Sequence, residues 1–159
     1  MPALERLADW SDPMPLVEAV AVAPKLPGVY ILYCGDPHGP AYVGMAGERR
    51  GAGLRQRLGV YASGKGAVSG FGEAAFDRAL ADPAWVAERL AGAEAGEPRR
   101  AKSVAALAVG RLEPRVRWAT TADGAEAKEL EDAVLAVVPD LWNRRLGRGA
   151  GAVIRAEGS

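Results

Sequence analysis

The sequence predicts a mixed α/β (α+β) domain, and three observations carry that expectation. The β-branched and aromatic run Val29-Tyr30-Ile31-Leu32-Tyr33-Cys34 lies between Pro27-Gly28 and the turn-rich Gly35-Asp36-Pro37-His38-Gly39-Pro40, and Ala41-Tyr42-Val43-Gly44 follows it, which reads as a β-hairpin. A second alternating stretch near residues 115–119 adds a third strand, and the segments between and behind carry apolar residues at helical spacing. At 159 residues and 16.6 kDa the chain holds one core and is too short for two full domains. Hydrophobic residues make up 49% and charged residues 25%, ordinary globular usage that excludes wholesale disorder and fibrous classes.

Residues 1–24 read as an arm packing on the domain: Leu4, Leu7 and Trp10 give a short helical pattern, after which Pro13, Pro15, Pro24 and Pro27 punctuate too often for a long element. If the hairpin pairs Leu32 with Tyr42, then Tyr30 and Tyr42 point to one face of the sheet, because side chains alternate along a strand. Leu54, Leu58 and Tyr61 recur at i, i+4 and i+7 in a helix that ends at Ser63-Gly64-Lys65-Gly66. Phe71 to Leu80 and Pro83 to Leu90 are two further short helices, with Pro83 in a tolerated first-turn position. Gly92 to Pro98 is a loop or insertion, and alanine-rich Arg99 to Val109 is compatible with a helix. Pro114 confines the third strand to an edge or stands at its start. Asp123 and Glu126 form a capping-box-like start for a helix carrying Ala127, Leu130, Val134 and Val137 on one stripe, and Pro139 limits it. The domain proper spans residues 25–146 with a helical insert at about 71–110, and 147–159 is a flexible tail.

Lys plus Arg is 20 and Asp plus Glu is 20, so there is no global field to attract a polyanion, and any such partner must be held by local patches. Such patches exist: Arg49, Arg50, Arg55 and Arg57; Arg99, Arg100 and Lys102; and Arg144, Arg145 and Arg148. One cysteine, Cys34, and one histidine, His38, exclude an internal disulfide and a Cys/His zinc site. Cys34 reads as a small packing residue, His38 as an exposed loop residue, and the four tryptophans as core anchors. The apolar runs fall far short of the roughly 20 residues of a membrane span, and the N-terminus is acidic and proline-broken, so the expectation is a cytoplasmic protein with no membrane contact.

The chemistry concentrates in two hairpin tyrosines on one face, Arg57 and Tyr61 four apart on one helix, and Glu131 beside an apolar stripe, where a carboxylate needs a partner or a cation. Each of these alone is ordinary packing or surface. Their combination and order resemble the GIY-YIG nuclease family. The matching residues are Gly28-Val29-Tyr30, Tyr42-Val43-Gly44, the helix Gly53-Leu54-Arg55-Gln56-Arg57-Leu58-Gly59-Val60-Tyr61, the run Glu126-Ala127-Lys128-Glu129-Leu130-Glu131, and Asn143 after Pro139 and Trp142.

This resemblance covers roughly residues 25–145 and implies a small three-stranded antiparallel sheet flanked by helices, with one divalent cation, Mg²⁺ or Mn²⁺. It makes Glu131 the metal ligand, Arg57 the group that neutralises phosphoryl charge, Tyr30 and Tyr42 the neighbours of the attacking water with Tyr30 the favoured base, and Tyr61 a hydrogen-bonding partner of the phosphate or water. Asn143 would hold Glu131 or backbone near it. Gly44, Arg49, Arg50, Arg55, Arg144 and Arg145 would contact substrate. The implied activity is metal-dependent cleavage of DNA phosphodiesters, in repair or processing, with targeting borrowed from a protein partner. Met45 departs from the family pattern, in which a polar or basic residue is common, and the Pro139 to Asn143 spacing is one residue longer than usual. The rival expectation is a DNA-binding or assembly module that keeps the fold without the activity.

Overall fold

The structure, a computed structural model, describes residues 2–35, 39–48 and 53–143. In chain order its elements are α1 (Pro2–Glu5), β1 (Met14–Pro15), α2 (Leu16–Val22), β2 (Gly28–Tyr33), β3 (Pro40–Ala46), α3 (Gly53–Ala62), α4 (Gly70–Leu80), α5 (Pro83–Glu94), α6 (Ala101–Gly110), β4 (Arg115–Thr120) and α7 (Gly124–Val137). The class is α+β, but the sheet has four antiparallel strands in the order β1-β4-β2-β3, one more than the three expected. The extra strand is β1, where Met14 pairs with Val116 and Pro15 with Arg115. The prolines that mask it in the sequence are tolerated because β1 is an edge strand, whose outer backbone needs no donor.

β2 is central and buried along its whole length. Its register with β3 pairs Leu32 with Tyr42 and Tyr30 with Gly44, so the two tyrosines do share a face. On that face Tyr30, Leu32 and Val116 pack against Leu16 and Ala19 of α2, Leu54, Leu58 and Tyr61 of α3, and Phe71 and Ala75 of α4. On the other face Val29, Ile31, Tyr33 and Val43 pack against Leu4 of α1, Val134 of α7 and Val138. A smaller cluster of Ala79, Trp85 and Ala108 joins α4, α5 and α6. The helical segment 71–110 contributes Phe71, Ala75 and Val109 to the main core.

Helix ends follow their caps. Asp82 accepts from the backbone N–H groups of Ala84 and Trp85, with Pro83 at the first position, and α5 runs to Glu94, further than Leu90. Asp123 caps α7 through Ala125 and Glu126, while the Glu126 carboxylate reaches back to the Ala122 N–H, one residue before the position a strict capping box uses. Among the described residues no helix is long and apolar enough to cross a membrane.

The N-terminal segment is strapped across β4. Ser11 donates its N–H to the Trp118 carbonyl at 2.8 Å, its hydroxyl accepts the Trp118 N–H at 3.0 Å, and Glu5 forms a two-pronged ion pair with Arg117 at 2.8 and 2.7 Å. The Arg117 guanidinium lowers the Glu5 carboxyl pKa, so the pair's stabilisation is present above the unfolded carboxylate pKa and is lost as pH falls through the lowered one. Glu5→Gln is expected to cost at most about 1 kcal/mol near neutrality, because the glutamate is half exposed, and nothing under acid conditions. Urea denaturation of both proteins at the two pH values checks this.

Candidate active site

The site begins with two tyrosines that the fold seals from water. β2 delivers Tyr30, 1% exposed, and α3 delivers Tyr61, 2% exposed; their hydroxyls are 2.8 Å apart and hydrogen-bonded. Tyr42, on edge strand β3, is less buried, and its hydroxyl lies with that of Tyr61 against Gly70. The three phenols thus cluster, with Tyr30 and Tyr61 bonded to each other and Tyr42 beside them. Phe71 of α4 buttresses it, its ring centroid 5.6 Å from Tyr61 and 5.9 Å from Tyr42.

Two glycines make room for the hydroxyls. Gly44 pairs with Tyr30, and a Cβ at Gly44 would fall 2.3 Å from the Tyr30 hydroxyl oxygen. Gly70 opens α4 with φ +54°, and a Cβ there would meet the Tyr61 and Tyr42 hydroxyls at 2.7 and 2.9 Å. Gly70 escaped the sequence reading; the only local sign of it is Ser69-Gly70 ahead of an apolar-periodic run.

Arg57 precedes Tyr61 by one turn of α3, and its exposed guanidinium has no hydrogen-bonded or ion-paired partner among the described residues. It is close enough to lower the pKa of Tyr30, Tyr42 and Glu131 alike. Burial and the neighbouring phenols push Tyr30 well above the usual tyrosine range; burial, Tyr61 and the Glu131 charge push Tyr42 up as well. The Glu131 carboxyl is raised chiefly by burial and further by Asp132, against Lys128 at 3.7 Å and Arg57, which lower it. Lys128 also pairs closely with Asp132. A partly desolvated carboxylate beside a second carboxylate is a place where a cation is favourable, and an oxygen ligand suits Mg²⁺ or Mn²⁺ completed by water and phosphate oxygens. Among the described residues no three His, Cys, Asp or Glu side chains cluster, so Glu131 would carry such an ion with little protein help.

β2, β3, α3 and α7 therefore bring Tyr30, Tyr42, Tyr61, Arg57 and Glu131 together. A groove of about 810 Å³ opens at Arg57, which alone of the five lines it, with Met45, Ala46, Gly47, Gly53, Gln56 and Val60. Other expected residues are engaged elsewhere. Arg55 donates from Nε to the Ala23 carbonyl at 2.7 Å, because residues two apart on a helix point about 200° from each other. Of the two roles implied for Asn143, Glu131 or backbone, its hydrogen bonds go to backbone: its amide oxygen accepts the Val43 N–H at 3.0 Å and its amide nitrogen donates to the Val43 carbonyl at 2.7 Å, clamping edge strand β3 next to Tyr42. Gly44 serves the Tyr30 ring. Arg49, Arg50, Arg144, Arg145 and His38 lie outside the described residues. Cys34 is no candidate nucleophile, since burial pushes its thiol up to about 12. No protein-family model, no curated protein and no solved structure matches the chain.

Proposed function

We propose that the chain is a metal-dependent DNA endonuclease module of the GIY-YIG kind, hydrolysing phosphodiester bonds. Arg57 carries the reading: an unpaired, exposed guanidinium at a groove, coupled to two phenols and a carboxylate that arrive from three other elements. A permanently charged planar fork suits a phosphate that gains charge in the transition state. Tyr42, the least buried of the three phenols, is the one that reaches the attacking water. This displaces Tyr30, the base the sequence favours, whose hydroxyl is sealed and bonded to Tyr61.

The raised pKa of Tyr42 keeps it protonated near neutrality, so it orients the water as a hydrogen-bonding partner and takes up a proton only as far as Arg57 eases its ionisation. Tyr61 and Tyr30 hold the Tyr42 hydroxyl in line. Glu131 would hold the divalent cation, which when bound supplies polarisation of the scissile phosphate.

The second reading, a binding or assembly module without catalysis, is favoured by one feature: the Tyr30 and Tyr61 hydroxyls satisfy each other in a closed interior. Incubating supercoiled plasmid with the protein and Mg²⁺ or Mn²⁺ separates the readings. The nuclease is expected to nick only with metal, and Arg57→Ala is expected to slow nicking by about 10²–10³, the cost of losing one transition-state charge partner. Plasmid that is bound but stays supercoiled under every metal would establish the module instead.

A further inference from the structure

Three guanidinium groups from three separate elements converge near the other end of β3. Arg78 of α4, Arg111 at the C-cap of α6 and Arg115 of β4 line a groove of about 590 Å³ with Tyr33, Glu113 and Trp142. Each is already oriented by one fixed contact. Arg78 donates to the Ala74 carbonyl at 3.1 Å, with its guanidinium carbon 3.7 Å from the Trp142 ring centroid; Arg111 pairs with Asp82; Arg115 donates to the Pro13 carbonyl at 2.6 Å. A guanidinium has five N–H donors, so one such contact fixes each fork and leaves further donors for an anion. Glu113 lines the same groove and Asp82 engages Arg111, which leaves a local excess of positive charge.

The placement says which anion fits. The Arg57 groove runs along Met45, Ala46 and Gly47, at the end of β3 and just past it, and Trp142 docks at the other end through its backbone N–H to the Ala41 carbonyl at 2.7 Å. Gly47 and Ala41 are separated by about 20 Å of strand at roughly 3.3 Å per residue. That span matches about six base pairs of duplex at 3.4 Å per step. A small phosphate compound could occupy only one of the two grooves, whereas a nucleic-acid backbone reaches both.

We propose that Arg78, Arg111 and Arg115 form a second phosphate-backbone contact, which grips duplex DNA about six base pairs from the phosphate held at Arg57. The proposal rests on the phosphodiesterase reading for its first contact. Its test is the salt dependence of binding, measured by fluorescence anisotropy with the full chain and a fluorescein-labelled 20-base-pair duplex without divalent metal. Relative to the wild type, R78Q/R115Q is expected to weaken binding at least about tenfold and to flatten the slope of log Kd against log salt by about two, at roughly 0.9 per phosphate. R78K/R115K is expected to keep the slope, because charge and not packing against Trp142 is what the backbone reads. Single methylphosphonate linkages walked along the duplex are expected to weaken wild-type binding in two windows about six base pairs apart, and R78Q/R115Q binding in only one.

An unchanged slope in a folded R78Q/R115Q, or a slope lost equally in the lysine variant, would overturn the proposal. R115Q alone, which disturbs only the contact to Pro13, is read in parallel and should flatten the slope by about one. DNA bound with two windows but never cut would defeat the nuclease reading and leave the second contact standing; DNA cut with one window would do the reverse.

Discussion

Glu131→Gln is expected to eliminate metal-dependent nicking, by at least about 10²–10³ in rate, while leaving the fold intact. Glutamine keeps the shape of the side chain and removes the charge that a cation needs. The stability signature has a definite sign. The Glu131 carboxyl pKa is raised in the folded state, mainly by burial, so its favourable contribution is present below the unfolded carboxylate pKa and is lost as pH rises through the raised one. At neutral pH and without metal, the variant should therefore be at least as stable as the wild type. Added Mg²⁺ should raise the Tm of the wild type and not that of the variant, since only a state that binds the ion is stabilised by it. Thermal melts with and without Mg²⁺, run beside the nicking assay, read both effects. Equal nicking by the variant would remove Glu131 from the mechanism.

Gly44→Ala is expected to destabilise the protein by about 2–4 kcal/mol, combining overpacking with loss of a buried hydrogen bond. The added Cβ would stand 2.3 Å from the Tyr30 hydroxyl oxygen, and Tyr30 has nowhere to go, being 1% exposed and bonded to Tyr61. Removing the hydroxyl oxygen takes away the nearest obstruction but leaves the ring carbon Cζ 2.5 Å from the added Cβ, so G44A/Y30F is expected to recover only a small part of the loss, a non-additivity that marks direct contact. Urea denaturation of the four proteins of this cycle measures it. The resemblance to GIY-YIG nucleases instead implies that Gly44 contacts substrate; a Gly44→Ala protein of wild-type stability that binds DNA poorly would favour that role.

Much of this site is legible before folding is considered. Period-two alternation puts Tyr30 and Tyr42 on one face once Leu32 opposes Tyr42, and the strand register does pair those two. Helical period puts Arg57 beneath Tyr61, and Asp123 marks where α7 begins. These are local signals, read within one element or one hairpin. What escaped was non-local. Met14 and Pro15 form a strand only because β4 offers them an edge, a hundred residues later in the sequence. Arg55 and Arg57 look alike in a run of arginines, yet one is anchored to Ala23 and the other faces the groove. Asn143 reads as a holder of Glu131 or of backbone near it, and which of the two is non-local: the end of α7 carries the chain past β3, where an amide can imitate a neighbouring strand.

The sequence by itself therefore determined the α+β class, the hairpin, and which residue types could carry chemistry, because those follow from backbone period and turn chemistry, whereas the hairpin register came from the structure. Only the tertiary structure decided which phenols are buried and which is partly exposed, which arginine stays free among the described residues, and that α4 closes over the hydroxyls. Those depend on burial and on the approach of distant elements, and both arise when β2 is covered on its two faces.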